Sequence, residues 1–393
     1  MGKGLIEFGS ELQRAEDTMN RLIACSDFLT PTEKKEMYVY VTINSIFLRK
    51  GAMNVDFVPI IERGFNLNKV VQLNQLSRDY AADQITIQQL YTQIQQVLQT
   101  REKRPYAWLA YILLSSSITL ILNGSLLECG LAAIIGLMTS QSYPFFRRYL
   151  SNKFIPEFLA AFLGGLLACL FCKFYHLDPT LLYTAAIIPM VPGIVLTNGV
   201  QDTFNNYFIS GPVMILESLT TLVSITLGIT FVQLLPFGIM ASGKIAVVTV
   251  PLSLQVLGSA LCSIAFAYII FAPKQLFLPI GIAGALTWCV YVFVTSLWQS
   301  NLLNTLLSIS ALSLVSRIFA KHFKAPMTIF FIPSLVALVP GITMFVGLSQ
   351  FGTGRITTAV RTIIIVITNL LGLSIGSIVG EEIYKLPEKF KKH

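Results

Sequence analysis

The chain has 393 residues, of which 54% are hydrophobic and 12% charged. That is too few charges to coat a soluble globule of this size, and it suits a chain solvated by lipid. The formal net charge of +8 does not point to nucleic acid, because much of the excess flanks hydrophobic spans, where retention on the inner side explains it.

Lys, Arg, Asp and Glu crowd into residues 1–104 and then thin out, which sets a domain boundary near Pro105. Residues 1–30 carry no basic region followed by an apolar one, since Glu7, Glu11, Arg14, Glu16 and Asp17 interrupt them, so the amino terminus is expected not to be exported. Within 1–104, residues 5–25 have helical character, Met37 to Ile43 and Val55 to Ile61 are β-prone, and 66–99 read as two helices. The expectation is a small cytoplasmic α+β domain.

Apolar segments long enough to cross a hydrocarbon core of ~30 Å follow at 106–123, 125–142, 154–172, 180–197 and 211–235. Five more lie at 249–272, 276–298, 302–319, 327–346 and 356–379. The expected fold class is membrane all-α with ten transmembrane helices, five in 105–237 and five in 238–393, the last followed by a basic cytoplasmic tail. Of the six cysteines, the one close pair, Cys169 and Cys172, sits in an apolar span without His or further Cys at metal-ligand spacing, so no metal or cofactor is expected.

With the first domain in the cytoplasm, the inner flanks carry a long series of basic residues from Arg101 through Arg147, Lys274 and Arg317 to Lys392. The outer loops offer only Lys173, Lys244 and Arg355. Lys and Arg bias in short loops sets orientation, so both termini are assigned to the cytoplasmic face of the cell membrane.

Sliding the first five segments onto the second five at a constant offset of 148 aligns Val191-Pro192-Gly193-Ile194 with Val339-Pro340-Gly341-Ile342. The same offset pairs Gly136 with Gly284, Thr139 with Thr287, Tyr143 with Tyr291 and Gly228 with Gly376. Gly, Pro, Tyr and Thr at one offset are less easily accidental than aliphatic matches. An odd number of spans per half makes the repeats inverted, an architecture associated with alternating access around a midplane site.

Pro inside a helix removes a donor and clashes with the preceding turn, and a following Gly tolerates the distortion. Pro192-Gly193 and Pro340-Gly341 therefore predict broken helices at corresponding places, either around a binding site or as kinks that shape packing. Polar neighbours are Thr197, Asn198 and Asp202 at the first break and Thr343 at the second. Glu217 reads as a proton carrier or substrate ligand, or as an interfacial anchor. Arg361 reads as a carboxylate partner or an anchor, with Asn369 as a neutral polar partner.

The run Glu11-Leu-Gln-Arg14-Ala-Glu16-Asp-Thr18-Met19-Asn20-Arg21, followed by Glu62-Arg63-Gly64-Phe65-Asn66-Leu67, resembles the amino-terminal domain of the threonine/serine exporter family. Met190-Val-Pro-Gly-Ile-Val-Leu-Thr-Asn198, Asp202, Ser210-Gly211 and the second V-P-G continue the resemblance over nearly the whole chain, which looks like the family's two components fused. The resemblance implies export of small amino acids such as threonine and serine, while related two-subunit members are linked to small dicarboxylates such as succinate. It also implies motif roles for Arg14, Glu16 and Arg63, alongside Pro192, Gly193, Thr197, Asn198, Asp202, Pro340 and Gly341. The domain is shortened between Arg21 and Met37.

The leading expectation is thus a secondary transporter, not an enzyme, since the chain has no G-x-x-x-x-G-K-[ST] loop to couple ATP hydrolysis. The partners expected are an amino acid or carboxylate substrate and the lipid bilayer, with protons as a candidate coupling ion and a homo-oligomer as a candidate assembly. The alternatives are a membrane-bound solute receptor or scaffold, and a hydrolase acting through residues 1–104. That segment offers no convincing nucleophile, base and orienting acid.

Overall fold

The structure, a computed structural model, describes all residues except 28, 52–53, 153, 242–249, 340, 353 and 391–393, and leaves out the side chains of 54, 341–342 and 387–390. The chain opens with α1 (Gly2–Glu7), α2 (Leu12–Ala24) and α3 (Pro31–Glu36). An antiparallel sheet of β1 (Met37–Val41), β2 (Ser45–Lys50) and β3 (Asn54–Pro59) comes next, in that spatial order, followed by α4 (Leu67–Ala81) and α5 (Ile87–Gln99). Residues 5–25 are not one helix, because Gly9, at φ +88, turns the chain between α1 and α2. Thr30 and Thr86 start α3 and α5 with capping boxes, and Asn66 Oδ1 accepts from Lys69 N at 3.1 Å to start α4.

The apolar part comprises α6 (Ala107–Ile121), α7 (Leu126–Tyr149), α8 (Ile155–Tyr175), α9 (Pro179–Ile187), α10 (Gly193–Phe204) and α11 (Ser210–Leu234). It continues with α12 (Leu252–Ile269), α13 (Phe277–Leu297), α14 (Asn301–His322), α15 (Thr328–Leu335), α16 (Gly341–Gly352) and α17 (Ile356–Phe390). Among the described residues six helices are long and apolar enough to cross a membrane: α8, α11, α12, α13, α14 and α17. The pair α9 and α10 passes the same test together, bent by 64°. Large side chains such as Leu216, Phe231, Leu278, Phe293 and Ile364 are exposed on these helices, as a lipid-solvated surface requires.

With lipid as solvent, close backbone approach replaces the hydrophobic effect in holding helices together. Gly372, Gly376 and Gly380 of α17 form such a seam on α14: a β-carbon at each would lie 2.9, 2.5 and 2.5 Å from the carbonyls of Leu302, Leu306 and Ser310. Gly228 of α11 sits the same way on Phe158 O of α8, at 2.5 Å.

The amino-terminal elements dock on one end of these helices. The first N–H groups of α4 bond the carbonyls of the two residues that follow α12, Leu67 N donating to Ile270 O at 3.0 Å and Asn68 N to Phe271 O at 2.8 Å. Leu67 packs among Ile194, Ile270 and Phe330, and Met214 of α11 joins the core formed by Leu5, Leu12, Val41 and Leu73. Arg104 lies over the rings of Tyr268 and Phe271 and donates to Ala272 O at 3.1 Å.

Candidate functional site

A polar cavity of about 340 Å³ lies where α2 and α4 meet α10, α14 and α17. α10 supplies Asn198, Gln201, Asp202 and Asn205, which at i, i+3, i+4 and i+7 share one helix face. Glu11, Arg14, Thr18 and Arg21 repeat that logic along α2, with Asp17 beside them, and Asn74, Ser77 and Arg78 do so on α4. Arg317 of α14 and Ser377 and Glu381 of α17 complete the polar wall. Gln201 Nε2 donates to Ser377 Oγ at 2.9 Å, which joins α10 to α17 at the cavity edge.

Four guanidinium groups, Arg14, Arg21, Arg78 and Arg317, face four carboxylates, Glu11, Asp17, Asp202 and Glu381, so the lining is balanced in charge. Arg317 pairs with Glu381 at 2.6 Å, and Arg78 Nη1 donates to Lys324 O at 3.2 Å. Arg14 makes no ion pair or hydrogen bond with another described residue. Burial lowers its pKa, Arg78 and Arg317 push in the same direction, and Glu11 and Asp17 oppose them. Asp202 is only 4% exposed, and its carboxylate also makes no hydrogen bond with a described residue. Ser77 Oγ, on a residue 2% exposed, and Arg317 Nε are likewise without partners among the described residues. Buried polar atoms are ordinarily paired, so a cluster of exceptions around one cavity makes it the candidate site.

The break before α10 is closed by apolar contact. Pro192 is the N-cap residue of α10, and Gly193 packs so tightly on Val339 that a β-carbon there would collide with Cγ1. Ile188, Val191, Ile194, Phe266, Val336 and Val339 surround a gap of only about 20 Å³. The open polar space therefore begins beyond the break, along the later turns of α10, rather than at the V-P-G segment itself. The side chains at the break are branched aliphatics, and the amides and Asp202 come one to three turns later.

Of the residues singled out in the sequence, Arg14, Asn198 and Asp202 meet in the cavity. Thr197 is 1% exposed on the turn before it, and its hydroxyl has no partner among the described residues. Glu16 accepts from Tyr207 OH at 2.9 Å, and Arg63 pairs with Glu217 at 2.5 Å, so these three sit in contacts between the amino-terminal elements and the α10–α11 region. Gly341 begins α16, Thr343 lies half-buried within it, and Pro340 falls outside the described residues. Arg361 is exposed on α17, and Asn369 accepts from Thr305 Oγ1 at 3.3 Å. The lining residues Asp17, Arg21, Asn74, Ser77, Arg78, Ser377 and Glu381 were not singled out, although the i, i+3, i+4 polar spacing on α4 was a readable signal. His, Cys, Asp and Glu form no metal-binding group among the described residues.

Six long apolar helices and a bent pair define a multi-pass helical membrane protein. Residues 1–235 match the sequence model of a family described as threonine/serine exporter, and residues 255–383 match a second model of the same description. The chain belongs to the threonine/serine exporter family and carries its two components in one polypeptide. Members of that family are transporters, not enzymes, which removes the hydrolase reading, and their substrates are small amino acids handled at a lipid bilayer. No curated protein and no solved structure matches the chain.

Proposed function

We propose that this chain exports threonine or serine across the plasma membrane, through ten crossings arranged as two inverted repeats of five with both termini cytoplasmic. The observation that carries the reading is the balanced cavity, about 340 Å³ in volume, which suits a small zwitterion; an apolar closure lies at the break that precedes α10. Alternating access would open the Gly193–Val339 contact as the cavity beside α2 and α4 closes. Protons are the candidate coupling ion, and small dicarboxylates the competing substrate class.

The repeat is supported by more than sequence matches. Adding 148 to the bounds of α9 and α10 gives 327–335 and 341–352, against 328–335 and 341–352 for α15 and α16. The same shift maps the packing of Gly136 on Tyr111 O and Ser115 onto that of Gly284 on Ser259 O and Ser263. It also maps Gly228 on Phe158 O onto Gly376 on Leu306 O. α10 packs on α17 and α16 on α11, so each half's post-break helix meets the last helix of the other half.

Proteoliposomes loaded with radiolabelled threonine, serine or succinate test this, with Asp202→Asn and Gly193→Leu as variants and with and without a pH gradient. Selective efflux, lost in both variants, is expected. Absence of efflux for every solute, from protein that is folded and oriented, would move the reading to a solute receptor.

A further inference from the structure

We propose that the cavity holds a free α-amino acid with its carboxylate on Arg14 of α2 and its ammonium group on Asp202 of α10, so that the amino-terminal helices supply half of the transport site. This rests on the exporter reading for the class of ligand and goes beyond it in assigning the ends.

Arg14, Arg78 and Arg317 face one space from three different helices, and only the latter two have partners, Lys324 O and Glu381. Arg78 and Arg317 act electrostatically against Arg14 while Glu11 and Asp17 oppose them, and a substrate carboxylate would give Arg14 a direct partner. The planar fork of an unpaired guanidinium accommodates a carboxylate through two parallel hydrogen bonds. Ser77 Oγ, beside Arg78 and without a partner among the described residues, is a further donor for the same end.

Asp202 supplies the opposite end. A solvated acidic face would leave its carboxylate exposed, yet the residue is 4% exposed, lines the cavity and makes no hydrogen bond or ion pair with a described residue. An ionised carboxylate only accepts, and an ammonium group, with three donors, is its natural complement. Arg14 of α2 and Asp202 of α10 line this one cavity together with Glu11. A ligand lacking either charge leaves a buried group unpaired.

The test is equilibrium binding of tritiated threonine to the purified full-length chain in nanodiscs, with competition by threoninamide, which lacks the carboxylate, and N-acetylthreonine, which lacks the ammonium. In the wild type both analogues are expected to compete at least ~10-fold less well than threonine. Arg14→Gln is expected to weaken threonine ~10- to 100-fold and to erase the gap between threonine and threoninamide alone, with Arg14→Lys restoring part of it. Asp202→Asn is expected to erase only the gap between threonine and N-acetylthreonine. Threoninamide competing as well as threonine on wild-type protein overturns the assignment without any variant having to fold. So does unchanged discrimination in folded Arg14→Gln. The expected pattern without efflux from proteoliposomes would sink the exporter reading and leave the assignment standing. Efflux with discrimination unaltered in the variants would do the reverse.

Discussion

The Arg63 guanidinium donates to Glu217 Oε2 at 2.5 Å, tying the loop before α4 to α11 with side chains only 22% and 16% exposed. Arg63→Ala takes a directly bonded guanidinium away from a mostly buried carboxylate; breaking a buried pair costs about 3–5 kcal/mol in a dry interior and less here because of partial exposure. Arg63→Ala is therefore expected to lower stability by about 1–3 kcal/mol, read as a fall in melting temperature. The exchange of Arg63→Glu with Glu217→Arg should recover part of that loss. An unchanged melting temperature in Arg63→Ala would show the pair to be inert.

The contact between Gly193 and Val339 joins the two V-P-G segments across the repeats. Gly193→Ala is expected to strain it by about 1–3 kcal/mol and to slow efflux. Because the colliding atom is a side-chain methyl, Val339→Ala in the same protein should restore room, and efflux with it. Failure of the double variant to recover would place the cost in the backbone of the break instead.

The glycine seam predicts a loss of a different kind. At Gly376 the obstacle is the Leu306 carbonyl, part of the α14 backbone, which cannot rotate aside. Gly376→Leu should therefore prevent α14 and α17 from packing, with loss of monodisperse protein on size-exclusion chromatography. Gly130→Leu, where nothing lies within 4 Å of the added carbon, should behave as the wild type.

The Glu33 carboxyl is held down to about 2 from its ordinary 4.5, chiefly by the Thr30 backbone N–H and then by Lys50. A depressed folded-state pKa stabilises the fold above the unfolded value, so the cap of α3 is fully effective above about pH 4.5 and is lost as pH falls toward 2. A carbon-13 titration of Glu33 should show the low midpoint. Thr30→Ala should move it upward, and an unmoved midpoint would count against the cap as its cause.

The positions of the apolar helices were legible because each carries its own signal: apolar length, and Pro-Gly where α9 gives way to α10; α3 and β2 were not expected. The partners of side chains were not. Glu217 read alone as a membrane acid and Arg63 as a soluble-domain motif, since 154 positions separate two residues that form one ion pair. The cavity escaped for the same reason: its walls come from residues 11–21, 74–78, 198–205, 317 and 377–381, and no local period connects them. Asn205 and Asn206 look alike in sequence, yet only Asn205 lines the cavity, because Asn206 at φ +69 has already left the helix. The glycine seam, by contrast, was written plainly in the four-residue spacing of Gly372, Gly376 and Gly380 and was overlooked.

The bonding of α4 to the two residues that follow α12 bears on how such a chain is assembled. Leu67 and Asn68 lie in the stretch matching the first family model, and the carbonyls they cover, Ile270 and Phe271, lie in the stretch matching the second. Each half thus finishes an end that the other leaves chemically incomplete. Two separate polypeptides would carry the same complementary ends and would recognise one another. Joining them in one gene product fixes their stoichiometry at one to one and spares them a search for each other in the membrane.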